Sequence, residues 1–285
     1  MIKDMTRSAI EISNIDNKSI LTGSKIFRPL KIFSLQKGRS CQIVFSNYGG
    51  GFVEGDQIYL DILCKAGTTT AFSTQANTRI YRSEHDKSSL QETIGKVDKD
   101  GLAVFMGDPI VPHQNSIFEQ KIRWDLAEGS TLLFLDWFEA GRILNGERFA
   151  FKSFFTDLKI NIADTIVIWD RFKMDPEQNN MNSPGAFLNH SSYLNIFLAG
   201  NENLEKVKLI ENHLHFISRK YFFDDKGQEV SKCEILGSAC KVNENVFMIR
   251  CSAKNNHALQ PIVKELAQLL SDKELLGFNP MEGRV

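Results

Sequence analysis

The residues best able to do chemistry are six histidines and a scatter of carboxylates. The histidines are His85, His113, His190, His213, His215 and His257. His213-Leu214-His215 would chelate a metal on a strand, where residues two apart share a face. The surrounding spacing is helical, which turns those side chains about 200° apart, so no chelate is expected there. Imidazole and carboxylate together suit divalent cations, which makes His85, Asp86 and His113 the candidate metal ligands. A solvated turn accounts more simply for the charged trio Glu84-His85-Asp86. Asp136 ends the apolar run Leu132-Leu133-Phe134-Leu135 and so belongs at the rim of a core. A buried carboxylate without a partner is costly, so Arg142 or Arg148 is expected to neutralise it. Asp136 is then either half of a structural ion pair or part of a polar patch lining an interior passage.

Several reaction classes are excluded by missing motifs. Neither G-x-x-x-x-G-K-[ST] nor G-x-G-x-x-G occurs, and Glu147 stands where a P-loop starting at Gly141 needs lysine. There is no G-x-S-x-G elbow and no H-E-x-x-H. Gly49-Gly50-Gly51 reads as a turn or as an anion-binding nest.

The elements that must position these residues are mostly strands. Gln57 to Cys64 alternates with period two, and Ser116 to Leu126 places Phe118, Ile122, Trp124 and Leu126 on one face. Turns at Gly67, Gly101, Gly129 and Asp164 lie 34, 28 and 35 residues apart, each leading into another β-prone run. They read either as hairpins stacked side by side in the manner of a solenoid or as unrelated hairpins of one sandwich, β-rich in both cases. Helical spacing appears over Glu202 to Ser218 and His257 to Leu270, two helices in the C-terminal part 200–285. Between them, Cys233 to Leu236 and Val246 to Cys251 read as strands. The polar run Asp175 to Pro184 reads as a mobile loop. The fold class is therefore mostly β, with residues 1–285 expected to form a single domain.

Composition narrows the setting. With 34 Lys and Arg against 35 Asp and Glu, the chain offers no basic face for nucleic acid. Five scattered cysteines without C-x-x-C spacing read as free thiols in a reducing compartment. No apolar run follows the N-terminus and none is long enough for a membrane span, so the expected location is cytoplasmic. The 21 phenylalanines suit a large core or surfaces buried by partners.

Residues 49–171 carry a family resemblance. Gly50-Gly51-Phe52-Val53-Glu54-Gly55-Asp56 leads into Ile58, Leu60 and Ile62, and is followed by Ser73-Thr74-Gln75-Ala76-Asn77-Thr78-Arg79-Ile80-Tyr81-Arg82-Ser83. Pro109-Ile110-Val111-Pro112-His113, Gly141-Arg142-Ile143-Leu144-Asn145-Gly146-Glu147 and Asp170-Arg171 come next in order. The whole resembles the UreD/UreH urease accessory proteins. Arg79 stands where that family more often has lysine, and the tail Phe278 to Val285 lacks the family's tryptophan. The resemblance implies a β-rich, non-catalytic urease maturation factor that assists nickel delivery, with no tightly bound cofactor and nickel only in transit. The implied partners are the urease apoprotein, a UreF-like helical protein and, through it, a UreG-like GTPase. It also suggests that Asp56, Gln75, Tyr81, Arg82, Asp136, Arg142 and Glu147 line or support a passage. The competing readings are a β-rich metal-dependent hydrolase using His85, Asp86 and His113, and a generic protein-binding module.

Overall fold

The computed structural model describes residues 6–223 and 235–282. Two antiparallel pairs open the chain: β1 (Ser8–Ile15) with β2 (Lys18–Lys25), and β3 (Leu30–Lys37) with β4 (Ser40–Asn47). From β4 onward the backbone winds in coils. The first coil continues through β5 (Gly51–Phe52) and β6 (Gln57–Cys64). The next runs through β7 (Thr69–Thr74), β8 (Thr78–Ile80) and β9 (Ser89–Val97), and the third through β10 (Leu102–Met106), β11 (Ile110–Pro112) and β12 (Ile117–Leu126). A last turn holds β13 (Thr131–Glu139) and β14 (Ser153–Ile162), after which β15 (Thr165–Met174) folds back on β14. Then come β16 (Ser192–Ala199), α1 (Glu205–Phe222), β17 (Ile235–Asn243), β18 (Val246–Ala253) and α2 (Asn256–Leu269).

Two sheets result. One has the order β15-β14-β12-β9-β6-β1-β2, the other β17-β18-β16-β13-β10-β7-β4-β3, with short β5, β8 and β11 joining the second at one side. Successive coils pair in parallel: Gln57 stands beside Leu90, Leu90 beside Glu119 and Glu119 beside Phe155, steps of 33, 29 and 36 residues. The solenoid-like stacking expected from the turn spacing is present, but its unit is a different one. The turns at Gly67, Gly101 and Gly129 carry the chain from one sheet to the other; only the turn at Asp164 closes a hairpin. Gly67 and Gly129 sit at φ +67° and +82°, the left-handed region that glycine enters without steric cost.

Parallel coils stack equivalent residues in rows. Phe72, Phe105, Phe134 and Phe197 form one such row on the face of the second sheet that looks at the first. Ring centroids are 6.4 Å apart for Phe72–Phe105 and 5.0 Å for Phe105–Phe134, with Trp124 of the facing sheet 6.0 Å from Phe72. Burying each ring contributes about 2–3 kcal/mol, and each stacked pair about 1 kcal/mol more. Much of the phenylalanine excess is thus spent on core rows; Phe33, Phe216 and Phe223 remain exposed.

The opposite face of the second sheet is covered by helices. Val207, Ile210, Leu214 and Ile217 of α1 and Leu259, Ile262, Val263 and Leu266 of α2 pack on Leu133, Leu135 and Trp137. The period-3.6 spacing located both helices within a few residues. Asn255 starts α2 by accepting a hydrogen bond from the Ala258 amide. Residues 271–282 then cross β4, where Ser40 Oγ and Gln42 Nε2 donate to the carbonyls of Leu276 and Pro280. Of the two strands expected between the helices, β18 matches; β17 begins at Ile235, and Cys233 and Glu234 lie outside the described residues. No described helix is long and apolar enough to cross a membrane.

Gly95 lets β9 and β12 pack, since a Cβ there would stand 2.2 Å from the Trp124 ring. Gly95→Val is expected to destabilise the protein by about 2–3 kcal/mol through overpacking, measured as a lower urea midpoint.

Candidate functional site

Two residues along from the phenylalanine row, the same face of the second sheet turns polar. Asp136, Asn195 and Arg250 are direct register partners on β13, β16 and β18, and Thr74 holds the corresponding place on β7. On the facing sheet Gln91, Gln120 and Thr156 form a matching row. Between these rows lie two cavities, of about 140 and 50 Å³. Thr74, Thr78, Gln91, Thr93 and Phe105 line both, so the two adjoin, one reaching Asn47, Gln75 and Asn77 and the other Gln120, Trp124 and Asp136.

Several polar groups between the sheets are short of partners. Gln120 Oε1, Trp124 Nε1, Thr156 Oγ1 and both amide atoms of Asn195 are buried with no hydrogen bond from protein. Each such group costs about 1–3 kcal/mol unless water or a ligand satisfies it. The Asp136 carboxyl likewise has no hydrogen-bond partner among the described residues. Burial first, and then the negative charge of Asp170, push its pKa up to about 7, while Arg250 pulls the other way. Part of the Asp136 surface faces the cavity rather than bulk water, which is why a side chain with residual surface still titrates as an enclosed one. Arg250 is committed elsewhere: it donates to Asp170 Oδ1 at 2.6 Å and to the Tyr193 hydroxyl at 3.4 Å. The expected partners of Asp136, Arg142 and Arg148, are therefore corrected. Arg142 is paired with Glu147, and Arg148 donates to Ser191 Oγ and to the carbonyls of Leu188 and His190.

Of the seven sequence candidates, Gln75 lines one cavity and Asp136 the other; Asp56, Tyr81, Arg142 and Glu147 are engaged in nearby loops. Asp56 Oδ2 accepts from the Val53 amide at 2.9 Å and closes the turn between β5 and β6. The Tyr81 hydroxyl donates to the Gly49 carbonyl at 3.0 Å, and its ring meets His113 edge-on at 5.2 Å. The glycine word is needed at Gly51, where a Cβ would stand 2.3 Å from the Arg79 carbonyl oxygen. Arg82 is exposed, 3.3 Å from Glu84. Glu147, held below the usual carboxylate range by its bond to Arg142, also accepts from the Gln114 amide.

The metal candidates are occupied separately. His85 Nδ1 lies 2.5 Å from Glu54 Oε1, and Glu54 Oε2 accepts from Ser83 Oγ and the amides of Glu84 and His85. The His85 bond leads in lowering the Glu54 pKa to about 2. Asp86 pairs with Lys152, and burial, then Arg142, lower the pKa of His113. Among the described residues no three His, Cys, Asp or Glu side chains gather around one point. The sequence reading missed Gln91, Thr93 and Gln120, which line the cavities. Their signal was polarity at inward positions of alternating strands.

Coiled β-structure in two sheets, with helices on one flank and cavities between the sheets, defines a coiled two-sheet β protein. The chain belongs to the UreD urease accessory protein family, whose model matches residues 6–285. It is 65% identical over 284 residues to the urease accessory protein UreD of Cytophaga hutchinsonii, the full length of both chains. It is 32% identical over 168 residues to UreD of Anaeromyxobacter sp., covering 59% of this chain and 56% of that one. With UreD 2 of Streptomyces griseus it shares 31% over 179 residues, covering 62% and 60%. The protein is thus an accessory factor in urease maturation and not itself an enzyme.

The folded Asp136 carboxyl keeps its proton to about pH 7, against 3.8 for the free group, so its ionisation opposes folding as pH rises between those values. Asp136→Asn should therefore gain stability relative to the unmodified protein from pH 4 to pH 8, by up to about 4 kcal/mol, in urea melts across that range.

Proposed function

We propose that this protein is the scaffold on which apo-urease meets a UreF-like helical protein and, through it, a UreG-like GTPase, and that nickel travels to urease along the passage between the two sheets. The observation that supports this reading is the pair of adjoining cavities between the sheets, where Gln75, Thr78, Gln91, Thr93, Gln120 and Asp136 stand among apolar side chains. Hydroxyl, amide and carboxyl oxygens can take over part of a divalent cation's hydration shell. The absence of a P-loop leaves the energy source to the GTPase. Nickel is cargo here, held in transit. A cytoplasmic location is supported by the free thiols Cys41, Cys64, Cys240 and Cys251.

The test is co-expression with urease subunits and the two accessory proteins, followed by pull-down and urease assay. Thr78→Leu and Thr93→Leu, which fill the segment shared by the two cavities, are expected to lower urease activation about tenfold, the effect of roughly 1.4 kcal/mol of added barrier. The complex should still co-purify, and Arg82→Ala, on the exposed surface, should activate normally. Folded plugging variants that activate urease fully would refute the passage; a protein that joins no urease complex would refute the scaffold.

A further inference from the structure

β3 forms an open edge of the second sheet. It pairs only with β4, in a register without a shift from Leu30 beside Asn47 to Lys37 beside Ser40. Its other row of backbone N–H and C=O groups meets no strand among the described residues. Leu30 and Ile32 turn to the core, so Lys31, Phe33, Leu35 and Lys37 lie on the opposite face. Val44 and Gln42 stand beside Phe33 and Leu35 on that face, and residues 271–282 cross it at Gln42 without covering β3. Phe33 remains 48% exposed and Leu35 43%. Ser34 and Gln36, on the core side, are exposed as well.

The charges that β3 carries are all positive and unpaired. Lys31 Nζ lies 3.9 Å from the centre of the Tyr48 ring, and Arg28 Cζ lies 5.1 Å from the same centre. Among the described residues, Arg28, Lys31 and Lys37 form no ion pair. β4 brings only Ser46, Val44, Gln42 and Ser40 beside the four side chains of this face. Asp272, Glu274 and Glu282 of the crossing segment pair with none of the three cations.

We propose that the open edge of β3 receives one extended segment of a partner protein, whose alternate side chains run acidic, apolar, apolar, acidic beside Lys31, Phe33, Leu35 and Lys37, with polar side chains between them. The edge supplies a ladder of backbone hydrogen bonds, and alternate side chains of an added strand fall on opposite faces. Carboxylates opposite Lys31 and Lys37 make cross-strand charge pairs, the first of them at a ring that Arg28 shares. The apolar pair covers Phe33 and Leu35, and the polar set meets Ser34 and Gln36. Lysine alone on an edge keeps other strands away; two bare apolar side chains between the lysines turn that exclusion into selection of an acidic strand. A second copy of β3 is disfavoured. Antiparallel pairing about Ser34 sets Lys31 against Lys37 of the other copy at both ends, and like charges directly opposite are destabilising.

This inference goes beyond the maturation reading, and its test uses the isolated full chain. The probes are a capped, fluorescein-labelled peptide Thr-Glu-Thr-Val-Thr-Val-Thr-Glu-Thr and its counterpart with lysine for glutamate. In anisotropy titrations the glutamate peptide is expected to bind at least about tenfold more tightly than the lysine peptide, by a margin that shrinks as salt is added. At saturation it should slow amide exchange over residues 31–37. The double variant Lys31→Glu, Lys37→Glu should reverse the preference and favour the lysine peptide. Phe33→Ser should weaken both peptides several-fold, with circular dichroism unchanged in every variant. Equal binding of the two peptides, no binding, protection elsewhere than at 31–37, or an unreversed preference would overturn the proposal. So would protection of 31–37 that grows with protein concentration alone, which would give the edge to a second copy.

Discussion

Stacking of Phe72, Phe105 and Phe134 on successive coils sets the separation of the two sheets, and most of the interior follows from it. In parallel coils a residue type repeated at one position becomes a row across the molecule. A row of rings holds the sheets apart at about the usual 10 Å. Two residues further along, the rows carry Thr74, Asp136 and Asn195 against Gln91, Gln120 and Thr156, side chains too short to fill that gap. The strands cannot approach there without crushing the aromatic row. The two cavities are the space the phenylalanines keep open and the polar residues leave unfilled.

Electrostatics at the inner end follow from the same rows. One guanidinium, Arg250, stands near two carboxylates. Its geometry is satisfied by Asp170 at 2.6 Å, with Tyr193 taking a second hydrogen bond. Asp136 is left with the desolvation of the interior and the repulsion of Asp170, hence its raised pKa. Had Arg142 turned inward instead, Asp136 would be an ordinary ion pair. Arg142 is retained outside by Glu147, in the loop that also accepts the Gln114 amide.

How much of this was legible in the sequence depends on the range of the interaction. The helices declared themselves through period 3.6, and strand parity through period two, both local. The arches at Gly67, Gly101 and Gly129 did not, because alternation, turn and alternation look the same whether the second strand returns beside the first or crosses to another sheet. Only long-range register separates the two. Coil steps of 33, 29 and 36 residues also hide the repeat from any fixed period. The site was half visible. Asp136 was found because a carboxylate ending an apolar run is conspicuous. Gln120 sits in the inward series Phe118, Gln120, Ile122, Trp124 and was passed over as a break in the pattern. Such a break, repeated on neighbouring coils by Gln91 and Thr156, is the trace an interior passage leaves in sequence. Tyr81, Arg82 and Glu147 drew attention as members of recognisable words, and those words encode loop geometry: Tyr81 on the Gly49 carbonyl, Gly51 against Arg79.

Under the proposed role, the chemistry of the lining sets how firmly cargo is held. Nickel binds most tightly to imidazole and thiolate, and among the described residues no histidine or cysteine lines the two cavities. Cys64 and Cys251 are buried with pKa values pushed up to about 12, far from thiolates at neutral pH. His113 is packed on Tyr81, and His85 is tied to Glu54. Beside apolar side chains, the cavities face hydroxyl and amide groups and the carboxyls of Asp108 and Asp136, the latter with its pKa pushed up to about 7 by burial. Conduction needs binding favourable enough to admit an ion and weak enough to release it. The hydroxyl and amide oxygens meet the second requirement directly, and the carboxyls of Asp108 and Asp136 serve the first, Asp136 only to the extent that it is ionised.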